Sequence, residues 1–355
     1  MIKVLMCGNH PTNKGGMTSV ISQILSHDWD NEGIEIKFVP TFYPGNNAVK
    51  SIYFIVACIK ILINFIFFRP EIVHMHMSYK GSFSRKYLIH RLCKIFKIKD
   101  IIHLHGSEFE KWYKESNCYL QGKIRCLLKE CDTFLVLGEK WETVIKNIEP
   151  DTNIMLINNA IEIPNTMVSW NDKKCQLLFM GVLIPRKGMF DLLNALKILK
   201  DQQKLEKIRL AIAGTGPDEE KLKKFCDENG LNKYVRFCGW VTGDKKNELI
   251  CSSQVSVLTS YNEGLPISIL EAISYGMPVV ATDVGDISSA VIDDLNGYLI
   301  KPRDIETLIE KILFINNQET FTKMSVKSRE IAENKFSSKI FYKKLSNCYH
   351  KLICN

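Results

Sequence analysis

The sequence lacks the marks of several protein classes. Its twelve cysteines form no CxxC motif and show no regular pairing or metal-ligand spacing with histidine, so we expect small core residues rather than disulfides or ligands. It has no secretory signal, which favours a reducing cytoplasm, and the lack of a short-period repeat argues against a repeat protein. With 355 residues, 46% of them hydrophobic, the chain is long enough for two domains with full cores.

Acidic residues are absent from KGSFSRKYLIHRLCKIFKIK, Lys80 to Lys99, which contains seven Lys or Arg. This run predicts an anionic partner surface, and we favour a membrane over nucleic acid because a dense apolar segment, Ser51 to Phe68, precedes it. A bilayer needs about 20 apolar residues, and Lys60 and Asn64 interrupt the segment, so a spanning helix is not expected. We favour a buried helix over a helix lying on lipid.

Two parts of the chain begin in the same way. IKVLMCGNHPTNKGG and QLLFMGVLIPRKG each place glycine after an apolar strand and before an amphipathic helix, which is typical of doubly wound nucleotide-binding sheets. Further apolar strands alternate with helical patterns, which predicts parallel sheets. We predict a Rossmann-like domain at 1–165, a second Rossmann-like domain at 170–335, and a C-terminal helix at 336–355 that packs back towards the first domain. The boundary is expected near 162–174, which is polar and aperiodic.

The stretch SYNEGLPISILEAISYGMPVVATDVG places two glutamates beside an apolar helix. Pro266 suits a first helical turn, and Gly276 with Pro278 ends the helix. Glu271 alone is most simply a solvated residue. Glu263, however, follows a buried strand and precedes a helix, where open α/β sheets bind ligands and phosphates find free N–H groups. The pair therefore indicates a ligand site.

Cationic and glycine residues follow other predicted strands. Arg186 and Lys187 lie beside a helix start, so they are expected to neutralise a diphosphate while Glu271 accepts hydrogen bonds from ribose hydroxyls. In the first domain, Gly15 and Gly16 permit close backbone approach to a ligand. His105 ends its strand near the expected interdomain cleft. His74, His76 and His103 lie within strands and are interpreted as structural.

These motifs resemble the retaining GT-B glycosyltransferases of family four, which include many enzymes of bacterial surface-polysaccharide synthesis. The resemblance covers nearly the whole chain and is carried by GVLIPRKG, AGTGP and EGLPISILEA, with NNAI and DVGD also fitting. It implies an α/β GT-B fold, with two Rossmann-like doubly wound domains facing across a cleft. Val182 departs from the family pattern, because arginine commonly follows the first glycine of that loop.

The resemblance also implies that the first domain binds the acceptor and the second binds the donor. It implies that Glu271 binds the donor ribose, Glu263 the transferred sugar, and Lys187 with Arg186 the diphosphate. Amides around Gly264 and Leu265 would help to hold the donor, Gly16 would close on it from the first domain, and His105 would contact its sugar. The expected donor is a UDP- or GDP-hexose and the expected acceptor a glycan or lipid-linked oligosaccharide. No Asp-x-Asp pair lies where a metal-bound nucleotide needs it, so no metal or other cofactor is expected. We expect a cytoplasmic enzyme, peripheral on the inner face of the membrane.

Two alternatives remain open. A nucleotide-sugar epimerase of the same architecture would act on the donor without an acceptor, but it would not need the basic, apolar-flanked first domain. A non-catalytic sugar-nucleotide-binding protein would keep the fold without turnover, and Val182 is the feature that favours it. The presence of Glu263, Glu271 and Lys187 favours the transferase.

Overall fold

The computed structural model describes residues 1–13 and 15–354. Over these residues the chain divides into two compact units, which are described separately. Unit 1 comprises residues 1–159 and 339–355, and unit 2 comprises residues 160–338.

Unit 1 is built on a parallel six-stranded sheet of order β2-β1-β3-β4-β5-β6. Its strands are β1 (Ile2–Asn9), β2 (Ile34–Phe42), β3 (Ile72–Met77), β4 (Lys99–Leu104), β5 (Thr133–Val136) and β6 (Ile154–Leu156). Its helices in this part of the chain are α1 (Gly16–Ser26), α2 (Asn47–Phe67), α3 (Gly81–Phe96), α4 (Phe109–Glu115), α5 (Cys118–Glu130) and α6 (Glu139–Ile148). The order is that of flavodoxin-like sheets, whose switch point lies between the first and third strands.

Unit 2 has a second parallel six-stranded sheet, of order β12-β11-β10-β7-β8-β9. Its strands are β7 (Cys175–Met180), β8 (Ile208–Ala213), β9 (Val235–Gly239), β10 (Val255–Leu258), β11 (Val279–Thr282) and β12 (Gly297–Ile300). Its helices are α7 (Met189–Asp201), α8 (Glu219–Glu228), α9 (Gly243–Cys251), α10 (Ile267–Ser274), α11 (Ile305–Ile315) and α12 (Gln318–Lys335). Numbered within the unit, this is the Rossmann order, with its switch point between β7 and β10.

The last helix, α13 (Ser338–Cys354), belongs almost wholly to unit 1. Tyr349 is fully buried there, and its hydroxyl lies 2.7 Å from Nδ1 of His74 on β3. Tyr342 donates a hydrogen bond to the Gln23 carbonyl at the end of α1. Helix α13 therefore packs into the core of unit 1.

The expected pair of doubly wound parallel sheets is confirmed. The apolar content of the strands explains why: β3 and β7 are buried at every position, as strands covered by helices on both faces must be. The sequence pattern does not predict strands β6 and β12, which have three and four residues.

Helix α2 corrects one expectation. The apolar segment does form a helix, but the buried position that we favoured is wrong for most of its surface. Only Ala57, Ile61 and Phe65 are buried, while Ile55 and Phe67 are 60% and 80% exposed. The buried residues recur every four positions and so occupy one narrow stripe of the helix.

Candidate functional site

The switch point of unit 2 brings two loops together. One follows β7 and ends in a short 3₁₀ turn at Pro185–Lys187, and the other follows β10. The amide of Tyr261 donates to the Arg186 carbonyl at 2.8 Å, and the Thr259 hydroxyl donates to the Gly188 carbonyl at 2.8 Å. Because β7 and β10 are neighbours whose crossover helices diverge, a crevice opens above their carboxyl ends. The loops are thus fixed to each other at the place where such sheets bind ligands.

A buried ionic cluster occupies this crevice. Nζ of Lys187 lies 2.5 Å from Oε1 of Glu263, and Nη1 of Arg186 lies 3.5 Å from Oε2 of the same carboxylate. Arg186 also donates to the Asn262 carbonyl. The Glu263 side chain is 8% exposed, so its charge is compensated by protein cations more than by water. The structure therefore brings together the three predicted residues Arg186, Lys187 and Glu263.

Glu271 lies in α10, on its half-exposed face. Its Oε1 is 2.6 Å from Nζ of Lys246, which projects from α9. Both side chains keep some contact with solvent, at 16% for Glu271 and 30% for Lys246. Sequence reasoning missed Lys246, because a lysine on a polar helix gives no signal until the tertiary structure pairs it with a carboxylate.

Two glycines hold the loops at close distance. Gly285 has φ +59°, and a Cβ there would lie 2.1 Å from the Glu263 carbonyl oxygen and 2.6 Å from that of Gly264. The amide of the next residue, Asp286, donates to the Gly264 carbonyl at 2.9 Å. Gly188 has φ +62°, and its Cβ would lie 2.0 Å from the Thr259 carbonyl oxygen. The DVGD motif, to which we assigned no role, therefore supports the Glu263 loop directly.

Gly264 and Leu265 connect Glu263 to α10. Leu265 is 3% exposed, and Pro266 caps the helix N-terminus with extended backbone. The buried leucine and the proline fix the direction of the chain between the two glutamates. This segment accordingly places Glu263 before a helix N-terminus, as the sequence predicts.

The predicted glycines of unit 1 lie at another helix start. Gly15 has φ +140° and precedes Gly16, the first residue of α1. No heavy atom of the described structure lies within 4 Å of a Cβ built on Gly15, beyond its chain neighbours. A left-handed backbone with open space beside it allows close approach of a ligand. Lys14, the remaining residue of the KGG motif, lies outside the described residues.

His105 follows β4 and is partly exposed. Its amide donates to the Met77 carbonyl at 2.8 Å, and its Nε2 lies 2.9 Å from Nδ1 of His76. Burial lowers the pKa of His105 to about 3. Its imidazole is therefore neutral near pH 7, so it can share hydrogen bonds but is a weak proton acceptor.

Three other histidines form a buried cluster, and imidazole nitrogens are common metal ligands. One ring nitrogen from each of His74, His76 and His103 lies within 4.8 Å of the others, and all three side chains are fully buried. In the described structure both nitrogens of His103 lack a hydrogen-bond partner, as does Nε2 of His74 and of His76. Burial lowers the pKa of all three, which keeps them in the neutral form that zinc binds. The rings also stack, with His74 and His103 inclined by 13°.

The chain is similar to proteins named as glycosyltransferases. The family model described as Glycosyl transferases group 1 matches residues 166–335. An uncharacterized glycosyltransferase of Methanocaldococcus jannaschii is 31% identical over 241 residues, which cover 62% of this chain and 61% of that protein. The UDP-Gal:alpha-D-GlcNAc-diphosphoundecaprenol alpha-1,3-galactosyltransferase of Escherichia coli is 24% identical over 345 residues, covering 92% of this chain and 87% of that protein.

A solved structure extends the similarity to the whole fold. Sucrose-phosphate synthase from Thermosynechococcus elongatus has a TM-score of 0.85 with this chain at 15% identity, and 100% of each chain is covered. The family model and the named relatives favour a transferase over the epimerase alternative. Residues 166–335 match the group 1 glycosyltransferase domain, and together with the fold and the named relatives they support a GT-B glycosyltransferase.

Proposed function

We propose that this chain is a retaining glycosyltransferase of surface-polysaccharide synthesis. It transfers a hexose from a UDP- or GDP-sugar to a hydroxyl group of a lipid-linked oligosaccharide or a similar acceptor. The observation that carries the proposal is the cluster of Lys187, Arg186 and Glu263 at the switch point of unit 2, with Glu271 on the helix that follows. The name of the Escherichia coli relative supports a UDP-sugar donor and a lipid-linked acceptor.

Each charged group has a role that suits its chemistry. The Glu271 carboxylate accepts hydrogen bonds from the vicinal hydroxyls of the donor ribose, and its salt bridge with Lys246 holds the carboxylate in position. The Glu263 carboxylate binds hydroxyls of the transferred sugar. Amides around Gly264 and Leu265 bind the donor at the N-terminus of α10, where the helix dipole favours negative charge.

Lys187 and Arg186 act on the leaving group. One N–H of the Lys187 ammonium faces Glu263, which leaves two for diphosphate oxygens. When the bond between the anomeric carbon and the diphosphate breaks, negative charge grows on the departing oxygen. Cations placed in advance stabilise that charge more in the transition state than in the ground state.

The acceptor hydroxyl loses its proton during the transfer, so a base must accept that proton. In the proposed front-face reaction the acceptor oxygen bonds to the anomeric carbon on the face that the diphosphate leaves, and the departing phosphate oxygen takes the proton. A neutral His105 with a pKa of about 3 suits a role in binding the sugar rather than in removing the proton. Gly15 and Gly16 leave the backbone at the start of α1 open to close approach of a ligand. No metal or other cofactor is needed in this scheme.

The proposed location is the cytoplasm, at the inner face of the membrane. Nucleotide sugars are soluble donors, whereas a lipid-linked acceptor is held in the bilayer. An enzyme that joins them works where the two meet.

A donor panel tests the proposal. Purified protein is incubated with UDP-, GDP- and ADP-sugars, with and without a diphosphoundecaprenol-linked sugar, and the anomeric configuration of the product is read by NMR. We expect one sugar to be turned over with retention of configuration. An inverted product would contradict the mechanism, and binding without turnover would favour the non-catalytic alternative. Failure to bind any nucleotide would overturn the proposal.

A further inference from the structure

Helix α2 has two opposite faces, and both are apolar. Its buried stripe of Ala57, Ile61 and Phe65 packs into the core of unit 1. The opposite side carries eight apolar residues that are 42–80% exposed: Val49, Ile52, Ile55, Val56, Ile59, Ile63, Ile66 and Phe67. At 100° per residue these eight fall within one third of the helix circumference, centred opposite the buried stripe. Scattered exposed isoleucines need no explanation, but a continuous stripe of this length indicates an interaction surface.

The apolar face continues beyond α2. The rings of Phe65 and Phe96 are 5.2 Å apart, so the C-terminal end of α3 lies beside the C-terminal half of α2. Ile95 and Phe96 there are 72% and 44% exposed. The partner must therefore cover a broad apolar area rather than a single helix.

Charge around this face has one sign. From residue 46 to residue 70 the sequence contains no Asp or Glu, and Glu71 is the one acid between residues 46 and 99. In the predicted basic run, Lys86 is buried against Thr41, and Arg91, Lys94 and Lys99 pair with acidic side chains.

Several cations between residues 46 and 99 form no salt bridge within the described part of the chain. Lys80 and Arg85 lie at the start of α3, and four others lie on α2 or near the C-terminal ends of α2 and α3. Lys50, Lys60, Arg69 and Lys97 take part in no salt bridge among the residues that the structure describes. Three of them, Lys60, Arg69 and Lys97, lie at or near the C-terminal half of the apolar face.

We propose that the exposed face of α2 docks onto an anionic lipid bilayer, with the helix lying in the membrane surface. Apolar side chains on one face with cations at its edge form the pattern that partitions into the boundary between headgroups and acyl chains. By its length and composition the helix could cross a membrane. Its buried stripe belongs to the protein core, however, so lipid can contact only the other side.

A second copy of the chain is a less suitable partner. A symmetric contact through α2 places the same patch on both copies. It would gather the cations of both copies around one apolar contact, without an acid on α2 to compensate them. Anionic headgroups meet these cations with opposite charge.

Vesicle binding by the full chain tests the proposal independently of the proposed transfer, because the assay contains no donor. The probes are vesicles of phosphatidylcholine with and without phosphatidylglycerol, and binding is measured by cosedimentation. We expect binding to the anionic vesicles, and a loss of roughly tenfold or more in Ile59→Gln/Ile63→Gln. Val326→Gln is the matched control, since Val326 is 48% exposed on α12 of unit 2 and should leave binding unchanged.

A second variant tests the electrostatic part. Lys60→Gln/Arg69→Gln keeps the apolar face, and each lost charge should weaken binding to anionic vesicles by roughly fivefold at low salt. The oligomeric state of each variant is measured without lipid by analytical ultracentrifugation. Equal binding by wild type and both variants, or no binding by wild type, would overturn the proposal. So would a lipid-free dimer that Ile59→Gln/Ile63→Gln dissociates, because a second copy would then cover the face. Donor hydrolysis by unit 2 should be unchanged in these variants, which separates this result from failure of the proposed function.

Discussion

The two units have sheets of the same size but different chemistry at their switch points. In unit 2 the crevice between β7 and β10 holds Lys187, Arg186 and Glu263. Unit 1 contains all eight histidines of the chain, and four of them stack along β3 and β4 as neutral rings. Unit 2 is suited to bind an anion, whereas unit 1 carries an apolar helix face and a cluster of buried, neutral histidines. Similar backbones therefore support different tasks, and the site must be argued from its residues.

Of the changes considered, removal of the Lys187 charge should lower turnover the most. In the proposed mechanism Lys187 stabilises the leaving diphosphate, so we expect Lys187→Ala to lower turnover by about 100- to 1,000-fold. In the cluster of Lys187, Arg186 and Glu263, the variant leaves Arg186 as the cation beside the Glu263 carboxylate, so thermal unfolding must be measured beside initial rates. Lys187→Arg, which keeps the charge, is the control. Turnover within a factor of three of wild type in Lys187→Ala would contradict the role.

The second prediction concerns Glu271. Glu271→Gln keeps the shape of the side chain but loses the charge that Lys246 and the ribose hydroxyls need. Hydrogen bonds to a charged group contribute about 1.5–3 kcal/mol, so we expect the KM for the donor to rise by roughly 10- to 100-fold. Glu306→Gln, on α11, is a matched control that should leave the KM unchanged. An unchanged KM in Glu271→Gln would place the ribose elsewhere.

Lowering the pH should destabilise unit 1 more than unit 2. Burial lowers the pKa of His74 to about 3, below its ordinary value of 6.5. Between these two values the unfolded chain binds a proton that the folded chain does not, so stability falls as pH decreases below 6.5 and is unaffected above it. At pH 5.5 the loss is about 1 kcal/mol for each such histidine. Hydrogen exchange, corrected for its intrinsic pH dependence, should show unit 1 opening first. Earlier opening of unit 2 would contradict the prediction.

Gly285 tests how closely the loops of unit 2 must pack. Gly285→Ala places a Cβ against the Glu263 and Gly264 carbonyls at a left-handed φ, so we expect a loss of about 1–3 kcal/mol in unfolding free energy. The displaced Glu263 loop should also weaken donor binding. Gly33→Ala is the control in unit 1, since it has a similar φ of +66° with no atom within 4 Å of the added methyl. Equal effects of the two changes would show that only the backbone angle matters.

Of these treatments, metal chelation should change donor turnover the least. We expect EDTA to leave donor turnover unchanged, because the proposed leaving-group stabilisation comes from Lys187 and Arg186. Metal content measured by mass spectrometry before and after treatment shows whether the His74, His76 and His103 cluster holds an ion. Loss of turnover that added Mg²⁺ or Mn²⁺ restores would contradict the prediction.

Much of the fold could be read from the sequence, and less of the site. Apolar strands and glycine turns predict the two sheets, and the order of loops after buried strands predicts that Lys187 and Glu263 meet. Sequence could not show that Lys246 reaches Glu271, because the two are 25 residues apart on different helices. Sequence also could not show that one side of α2 is exposed, because an apolar helix has the same sequence pattern whether it faces the core or the solvent.

The most direct test of the central claim is calorimetric titration of UDP, GDP and ADP into wild type, Lys187→Ala and Glu271→Gln. The account predicts that one nucleotide binds to wild type, that both variants bind it at least about tenfold more weakly, and that His74→Gln in unit 1 retains the affinity. Equal affinity in wild type and both unit 2 variants would show that the donor does not bind at the switch point of unit 2.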